Sequence, residues 1–208
     1  MSNSRLIVDQ IEGNAASGNT VTIPSGHILQ NNGELRTNSI LPSGGLPAGA
    51  SGGGIIQCVQ TVKTDPYVRT SSSGDMAAIT GLSATITPSS TSSKILILAM
   101  LTCGGSANQR WYIEAYRNGS QLTDVIGDSD GSNRRETTTV AAALSGDTQV
   151  STHYKYLDSP ATTSAVTYQM YGGIEGNNTF TVNRSQTDTD SIAVQRTAST
   201  LILMEVTG

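Results

Sequence analysis

KILILAMLTCGGSANQRWYIEAYRNG, residues Lys94–Gly119, is the stretch of sequence that decides the fold class. Its first part, Lys94–Thr102, is an almost continuous apolar run that would span about 25–30 Å if extended, and it predicts a strand buried on both faces. Side chains alternate in character along Arg110–Arg117, and Asn118-Gly119 then gives a strong hairpin signal. We expect Leu122–Ile126 to supply the returning strand. The stretch therefore predicts consecutive antiparallel strands.

The same kind of pattern recurs along the rest of the C-terminal region. Thr137–Leu144 is the one stretch compatible with a helix, and its run of Thr argues against even that. Gly172-Gly173 is expected to end the strand that precedes it. The spacing of the strands, roughly 8–12 residues, is typical of sandwiches and barrels. We therefore predict an all-β protein with a jelly-roll-like antiparallel β-sandwich. Further strands are predicted at Ile55–Val62, Leu82–Thr87, Val166–Tyr171, Thr179–Asn183, Ser191–Arg196 and Thr200–Val206.

The composition indicates a β-rich chain whose surface carries hydroxyl groups in place of charges. The 208 residues include 27 Thr, 26 Ser and 22 Gly, which suit strands and turns and weaken long helices. Only 13% of the residues are charged, against roughly 25% in an ordinary soluble domain. Because the apolar residues are grouped in periodic runs, a folded β domain is favoured over a flexible low-complexity segment.

Three regions follow one another along the chain. Residues 1–42 contain short apolar runs separated by turns, residues 43–54 (SGGLPAGASGGG) form a Gly-rich linker, and residues 55–208 form the sandwich. The runs of the first region are too short to bury a core alone, so we expect this extended segment to oligomerise, for example around a three-fold axis, or to anchor the chain to a larger assembly. The residues expected to make those contacts are Leu6, Ile7, Val8, Val21, Ile23, Ile28 and Leu29.

The charge and hydropathy of the chain argue against two classes of partner. The net charge of −4 gives no basic footprint for nucleic acid. No apolar run approaches the roughly 18 residues that span a bilayer, so we expect no membrane partner. The N-terminus shows no secretory signal, and we expect assembly in a host cytoplasm.

One motif of hydrolases occurs in the sequence. Gly127–Gly131 (GDSDG) fits the nucleophile-elbow pattern G-x-S-x-G. That motif requires a preceding strand and a following helix in an α/β chain, and the two carboxylates that flank Ser129 oppose its deprotonation. No phosphate-binding or dinucleotide-binding fingerprint is present. We therefore predict that the chain is not an enzyme and needs no cofactor.

The same loop has some features of a calcium site. Asp128 and Asp130 place carboxylates at alternating positions around a glycine, as calcium loops do, but Thr139 stands where such a loop needs a bidentate Glu. Asp188 and Asp190 invite the same interpretation. In both places an ordinary solvated turn is favoured over a metal site, because these residue types also make turns.

The cysteines and histidines do not form a recognisable site. Cys58 and Cys103 are expected to be buried free thiols, since cytoplasmic assembly disfavours a disulfide between them. His27 and His153 lack the spacing of zinc ligands and are expected to be structural or exposed. A nucleophilic pair of Cys103 and His153 is not excluded by the sequence, but no pattern supports it.

Aromatic residues are the remaining candidates for ligand binding, because an exposed ring flanked by Asn, Asp and Gln suits sugar stacking. For Trp111 a core position is favoured, since it alternates with Ile113 on one face. Tyr154 and Tyr156 are evenly balanced between core positions and glycan contacts, and they are the predicted glycan contacts. The full set of candidates is Trp111, Tyr112, Tyr116, Tyr154, Tyr156, Tyr168 and Tyr171.

Several short stretches of the chain form a recognisable set. They are Val8–Gly13, Val21–His27, Ile55–Gln60, Ile86–Ser90 leading to Lys94–Leu96, Tyr156–Pro160, Val182–Arg184 and Thr200–Val206. Taken together, they resemble the small fibre-like virion structural proteins of tailed phages of marine bacteria. The resemblance implies a β-rich, trimeric appendage of the particle, either a tail fibre, a head fibre or a decoration protein, and it supplies no catalytic residues.

Three functions stay open at this point. The leading hypothesis is a homotrimeric tail-fibre-like or spike-like appendage of a phage virion, which contacts other virion proteins and host surface glycans. A capsid decoration or head-fibre protein without a receptor role is the alternative, and the sequence does not separate the two, because both combine an anchor, a linker and a β domain. A stand-alone carbohydrate-binding module is the second alternative, and it would be monomeric.

Overall fold

The structure, a computed structural model, describes residues 54–71, 75–128, 131 and 137–207. One turn of 3-10 helix, Thr123–Val125, is the only helical element in these ranges. The predicted anchor segment 1–42, with all seven of its contact residues, and the linker 43–54 apart from Gly54 lie outside the described residues. The strands are β1 Ile55–Lys63, β2 Tyr67–Thr70, β3 Ala77–Ile86, β4 Lys94–Gly105, β5 Arg110–Arg117, β6 Ser120–Gln121, β7 Thr139–Ala142, β8 Gln149–Asp158, β9 Val166–Ile174, β10 Thr179–Val182 and β11 Ser199–Val206.

Eight of these strands form two antiparallel sheets with the topology of a jelly roll. Sheet I has the order β1-β11-β4-β8, and sheet II has the order β3-β9-β5-β7. In chain order, the outermost strands of this set pair first and the innermost last: β1 with β11, β3 with β9, β4 with β8, and β5 with β7. This nesting is that of a long hairpin rolled into two layers. The predicted jelly-roll-like sandwich is confirmed.

The other three strands extend the sheets locally. β10 pairs with the end of β4, at Cys103–Gly105, and β2 pairs with β10, which lengthens sheet I. β6 pairs with Tyr116 and Arg117 at the end of β5 in sheet II. The returning strand after the Asn118-Gly119 turn is therefore Ser120–Gln121, and the prediction of a strand at Leu122–Ile126 is wrong, because Leu122 turns into the core and the 3-10 turn follows it.

The core lies between the two sheets and is built by alternation. In β4, Ile95, Ile97 and Leu101 point inward and are fully buried, while Leu98 is half-buried and Met100 is exposed on the other face. The prediction that Lys94–Thr102 is buried on both faces is therefore wrong for most of its length. In a two-layer sandwich a central strand has only one face against the opposite sheet, so the outward half of this apolar run remains on the surface.

Two further predictions about local structure are corrected, and one open question is answered. The stretch Thr137–Leu144, where the run of Thr argued against a helix, contains strand β7 at Thr139–Ala142, paired with β5. Ser191–Arg196 consists of turns with a single bridge between Arg196 and Arg184, and it is not a strand. Gly172-Gly173 does not end β9, which continues to Ile174. Glycine is required at position 172 for a different reason, because the Cβ of any other residue there would lie 2.5 Å from the Phe180 ring.

Candidate functional site

The nucleophile-elbow motif does not have the context that catalysis needs. Asp128 is exposed, Ser129 and Asp130 lie outside the described residues, and the element before the motif is the 3-10 turn Thr123–Val125 and not a strand. The described element before the motif is therefore not the strand that a nucleophile elbow requires. No helix in the described ranges is long and apolar enough to cross a membrane.

The acidic turns show no metal centre within the described part of the chain. No group of three His, Cys, Asp or Glu side chains there is placed to hold an ion. The Asp188 carboxylate is instead held by two guanidinium groups, with Arg184 at 2.9 Å and Arg196 at 2.6 Å. Two guanidinium groups beside one carboxylate neutralise its charge.

Cys103 and His153 lie on different sides of sheet I. Cys103 points into the core, where burial raises the pKa of its thiol well above the usual range, whereas His153 is exposed on the outer face of β8. The two side chains are therefore separated by the sheet, and a nucleophilic pair is ruled out. Cys58 is an exposed free thiol on the outer face of β1, so the prediction of a buried Cys58 is wrong, and Cys103 is the only buried one.

The aromatic candidates divide between core and surface. Trp111 is fully buried, as predicted, with its indole N–H donating to the Thr152 hydroxyl at 3.4 Å. Tyr154 is only 1% exposed, so its ring faces protein and the prediction of a glycan contact is wrong at this position. Tyr156 is half-buried, and its hydroxyl reaches the Asp124 carboxylate at 3.5 Å. For Tyr156 the glycan contact stays a prediction.

Two tyrosines form an aromatic platform on the outer face of sheet II. The rings of Tyr116, on β5, and Tyr171, on β9, are stacked, with centroids 3.7 Å apart and planes 17° from parallel. The Glu114 carboxylate lies beside Tyr171 in the register and accepts a hydrogen bond from the Gln121 side-chain amide at 2.8 Å. Glu114 is only 1% exposed, so the two half-buried rings, and not this carboxylate, are the part of the platform that a sugar would stack on.

The outer face of sheet I carries a row-like set of apolar side chains. Strand alternation brings three rows of side chains across all four strands of this face. The first row is Cys58, Met204, Leu96 and Leu157, the second is Gln60, Ile202, Leu98 and Lys155, and the third is Val62, Thr200, Met100 and His153.

This outer face is half-exposed to exposed and carries little charge. Val62 is 53% exposed and Leu157 is 44% exposed, and a shallow depression of about 370 Å³ lies over Leu98, Met100 and Ile202. The three rows include no carboxylate, and their one permanent charge is Lys155 on the edge strand β8. A contiguous apolar area of this kind is rare on a monomer and typically marks an interaction surface.

The sequence pattern does not predict this surface. The apolar run Lys94–Thr102 predicts a strand buried on both faces, and the alternation of Thr200–Val206 does not reveal which of its two sides is covered. The signal that would have identified the surface is an apolar outward set on several adjacent strands, and that requires the strand order.

No protein-family model matches the chain, and no curated protein matches it. Among solved structures, the chain is similar to chains of three structures from Infectious Bursal Disease Virus. They are a point mutant of the VP2 protein in derived T=1 particles (12% identity, TM-score 0.40), a VP2 subviral particle (11%, 0.39) and a structure of the virus of the Gx strain (14%, 0.36). Each similarity covers 73% of this chain but only 38%, 39% and 37% of the other chain, respectively. The fold assignment rests on the strand order described above.

Proposed function

We propose that this chain is a structural protein of a bacteriophage particle, a short homotrimeric tail-fibre-like or spike-like appendage that contacts host surface glycans. The observation that carries the proposal is a jelly-roll domain with an open, nearly uncharged apolar face on sheet I. Such a face is costly for a free monomer and useful in a subunit that is buried in an assembly. The resemblance of several sequence stretches to phage fibre proteins supports the same function.

The division of the chain fits an appendage. Residues 1–42 attach the protein to the particle or to its own copies, the Gly-rich linker 43–54 gives reach, and the sandwich is displayed outward. A domain displayed on a particle outside the cell has to be stable on its own. Inter-sheet contacts such as the hydrogen bonds from Arg117 Nη1 to both carboxylate oxygens of Asp158 serve that purpose.

The test is to locate the protein in purified particles. Peptide mass spectrometry of gradient-purified virions should detect the chain in a fixed ratio to the other structural proteins. A reconstruction of the same particles should then show β-sandwich density, in multiples of three, at the tail. The same density on the capsid would replace this proposal by the decoration or head-fibre alternative. Absence of the chain from the particles would overturn both.

A free carbohydrate-binding module is the second candidate, and the stacked pair of Tyr116 and Tyr171 favours it. The module would bind host polysaccharide as a monomer. Binding of purified polysaccharide, measured by calorimetry, should weaken at least about tenfold in Tyr171→Ala and should not change in Val140→Ala, a substitution at an exposed position of the same sheet. Tyr156→Ala tests the predicted contact on β8. Trimeric protein would contradict this candidate, whatever its glycan affinity.

A further inference from the structure

We infer that the outer face of sheet I is the surface through which copies of this chain contact one another. This inference rests on the proposed trimer and names its interface. It places the three rows of side chains on this face inside the assembly, and it leaves sheet II, with the stacked tyrosines Tyr116 and Tyr171, on the outside.

The size of the face is sufficient for a specific contact. Four strands spaced by about 4.8 Å and a length of about seven residues at 3.3 Å each give a flat footprint of roughly 400 Å². The accessible area of a rugged side-chain surface exceeds its footprint, so two copies in contact bury on the order of 1,000 Å² in total. This is the size at which a protein interface becomes specific.

The composition of the face fits a copy of the same chain better than a charged partner. Its centre consists of Leu96, Leu98, Ile202 and Met204, which an equally apolar surface would cover. No carboxylate lies in the three rows, so a basic protein or peptide would find no partner for its charges.

The position of the one permanent charge in the three rows indicates how the copies are arranged. Lys155 lies on β8, at one edge of sheet I, while β1, at the opposite edge, presents the uncharged Cys58, Gln60 and Val62. In a ring with its axis along the strands, the β8 edge of each copy meets the β1 edge of the next. That arrangement keeps the Lys155 side chains of different copies apart, and it closes on itself as the cyclic symmetry of the proposed trimer requires.

Cys58 is a built-in reporter of this contact. Its thiol is exposed on the outer face of β1 in the isolated subunit, whereas Cys103 is buried in the core and does not react while the domain is folded. A maleimide therefore measures whether the outer face of sheet I is open, independently of the mass of the oligomer. Peptide mass spectrometry identifies which cysteine has reacted.

The experiment compares the full-length wild-type chain with Leu98→Asp on the face and with Val140→Asp, a matched control at an exposed position of sheet II. Circular dichroism checks that each variant is folded, and Ile202→Asp replaces Leu98→Asp if the latter is not. We expect wild type and Val140→Asp to be trimeric by light scattering, with Cys58 labelled at least about tenfold more slowly than in Leu98→Asp. We expect Leu98→Asp to shift toward monomer.

Each other outcome overturns the inference, and each has a different meaning for the proposed function. A wild-type trimer with rapidly labelled Cys58, or a Leu98→Asp trimer with slow labelling, would place the interface elsewhere and leave the appendage proposal intact. A wild-type monomer with slowly labelled Cys58 would mean that another part of the same chain covers the face. A wild-type monomer with rapid labelling would remove both the interface and the trimer.

Discussion

Arg117 donates two hydrogen bonds of 2.9 Å to the two carboxylate oxygens of Asp158, and this contact joins the end of β5 in sheet II to the end of β8 in sheet I. Tyr168, on β9, donates a third hydrogen bond to the same carboxylate at 2.5 Å. Asp158 is only 3% exposed, so these three hydrogen bonds, from Arg117 and Tyr168, replace its water shell. The group therefore acts as a clamp between the two layers of the sandwich.

Removal of the Arg117 guanidinium should destabilise the fold. Arg117→Ala leaves a buried carboxylate with one remaining donor, and we expect a loss of about 2 kcal/mol in the free energy of unfolding, less than for a fully buried pair because Arg117 is partly exposed. Arg110→Ala, also on β5, removes only the exposed pair with Glu175 and should cost less than about 0.5 kcal/mol. Urea denaturation measures both. Equal losses in the two variants would contradict the clamp.

Glu205 gives the fold a dependence on acid pH. Burial alone raises the pKa of this carboxyl, but hydrogen bonds from Ser89, Ser93 and Gln57 outweigh it and lower the pKa to about 2. Because the folded pKa lies below the unfolded one, this stabilisation is present above about pH 4.5 and is lost as the pH falls toward 2.

We therefore expect Glu205→Gln to be less stable than wild type at pH 7, by about 1–2 kcal/mol, and the difference to shrink between pH 4.5 and 2.5. Urea denaturation at a series of pH values measures this. Glu175→Gln, at a more exposed carboxyl, is the control and should show a smaller difference. A Glu205→Gln difference that stays constant down to pH 2.5 would show that the carboxylate charge is not what anchors the Ser89 turn.

Gly172 should not tolerate a side chain. The Cβ of alanine there would lie 2.5 Å from Cε1 of the fully buried Phe180, and a packed core cannot move that ring away without strain. We expect Gly172→Ala to lose about 2–3 kcal/mol and to melt several degrees lower. Gly127→Ala, where the nearest atom is the Thr137 carbonyl oxygen at 3.8 Å, should melt close to wild type. A Gly172→Ala protein with an unchanged melting temperature would refute the close packing of β9 on β10.

Calcium should have no effect on stability. Asp188 is already neutralised by Arg184 and Arg196, and Asp128 is exposed. An ion that binds the native state raises the melting temperature by mass action, so we expect identical thermal unfolding in millimolar calcium and in a chelator. A rise of several degrees in calcium, abolished in Asp128→Ala or Asp130→Ala, would instead establish the metal loop.

The fold was largely predictable from the sequence, but the candidate surface was not. Period-2 alternation in Arg110–Arg117 and Thr200–Val206 depends only on local geometry, and both strands are where that alternation placed them. Whether the side chains of Leu98 and Tyr154 are buried or exposed depends on which side of each strand the other sheet covers, and alternation alone does not determine that side. The prediction that the strand ends at Gly172-Gly173 was wrong for a similar reason, because the Phe180 ring that requires a glycine at position 172 comes from a different strand.

The direct measurement of the central claim, that this chain is a self-associating structural subunit, is light scattering on the full-length protein over a range of concentrations. We expect a stable mass of three times the 21.6 kDa subunit that does not fall on dilution to micromolar concentration. A mass of one subunit at every concentration would contradict the claim.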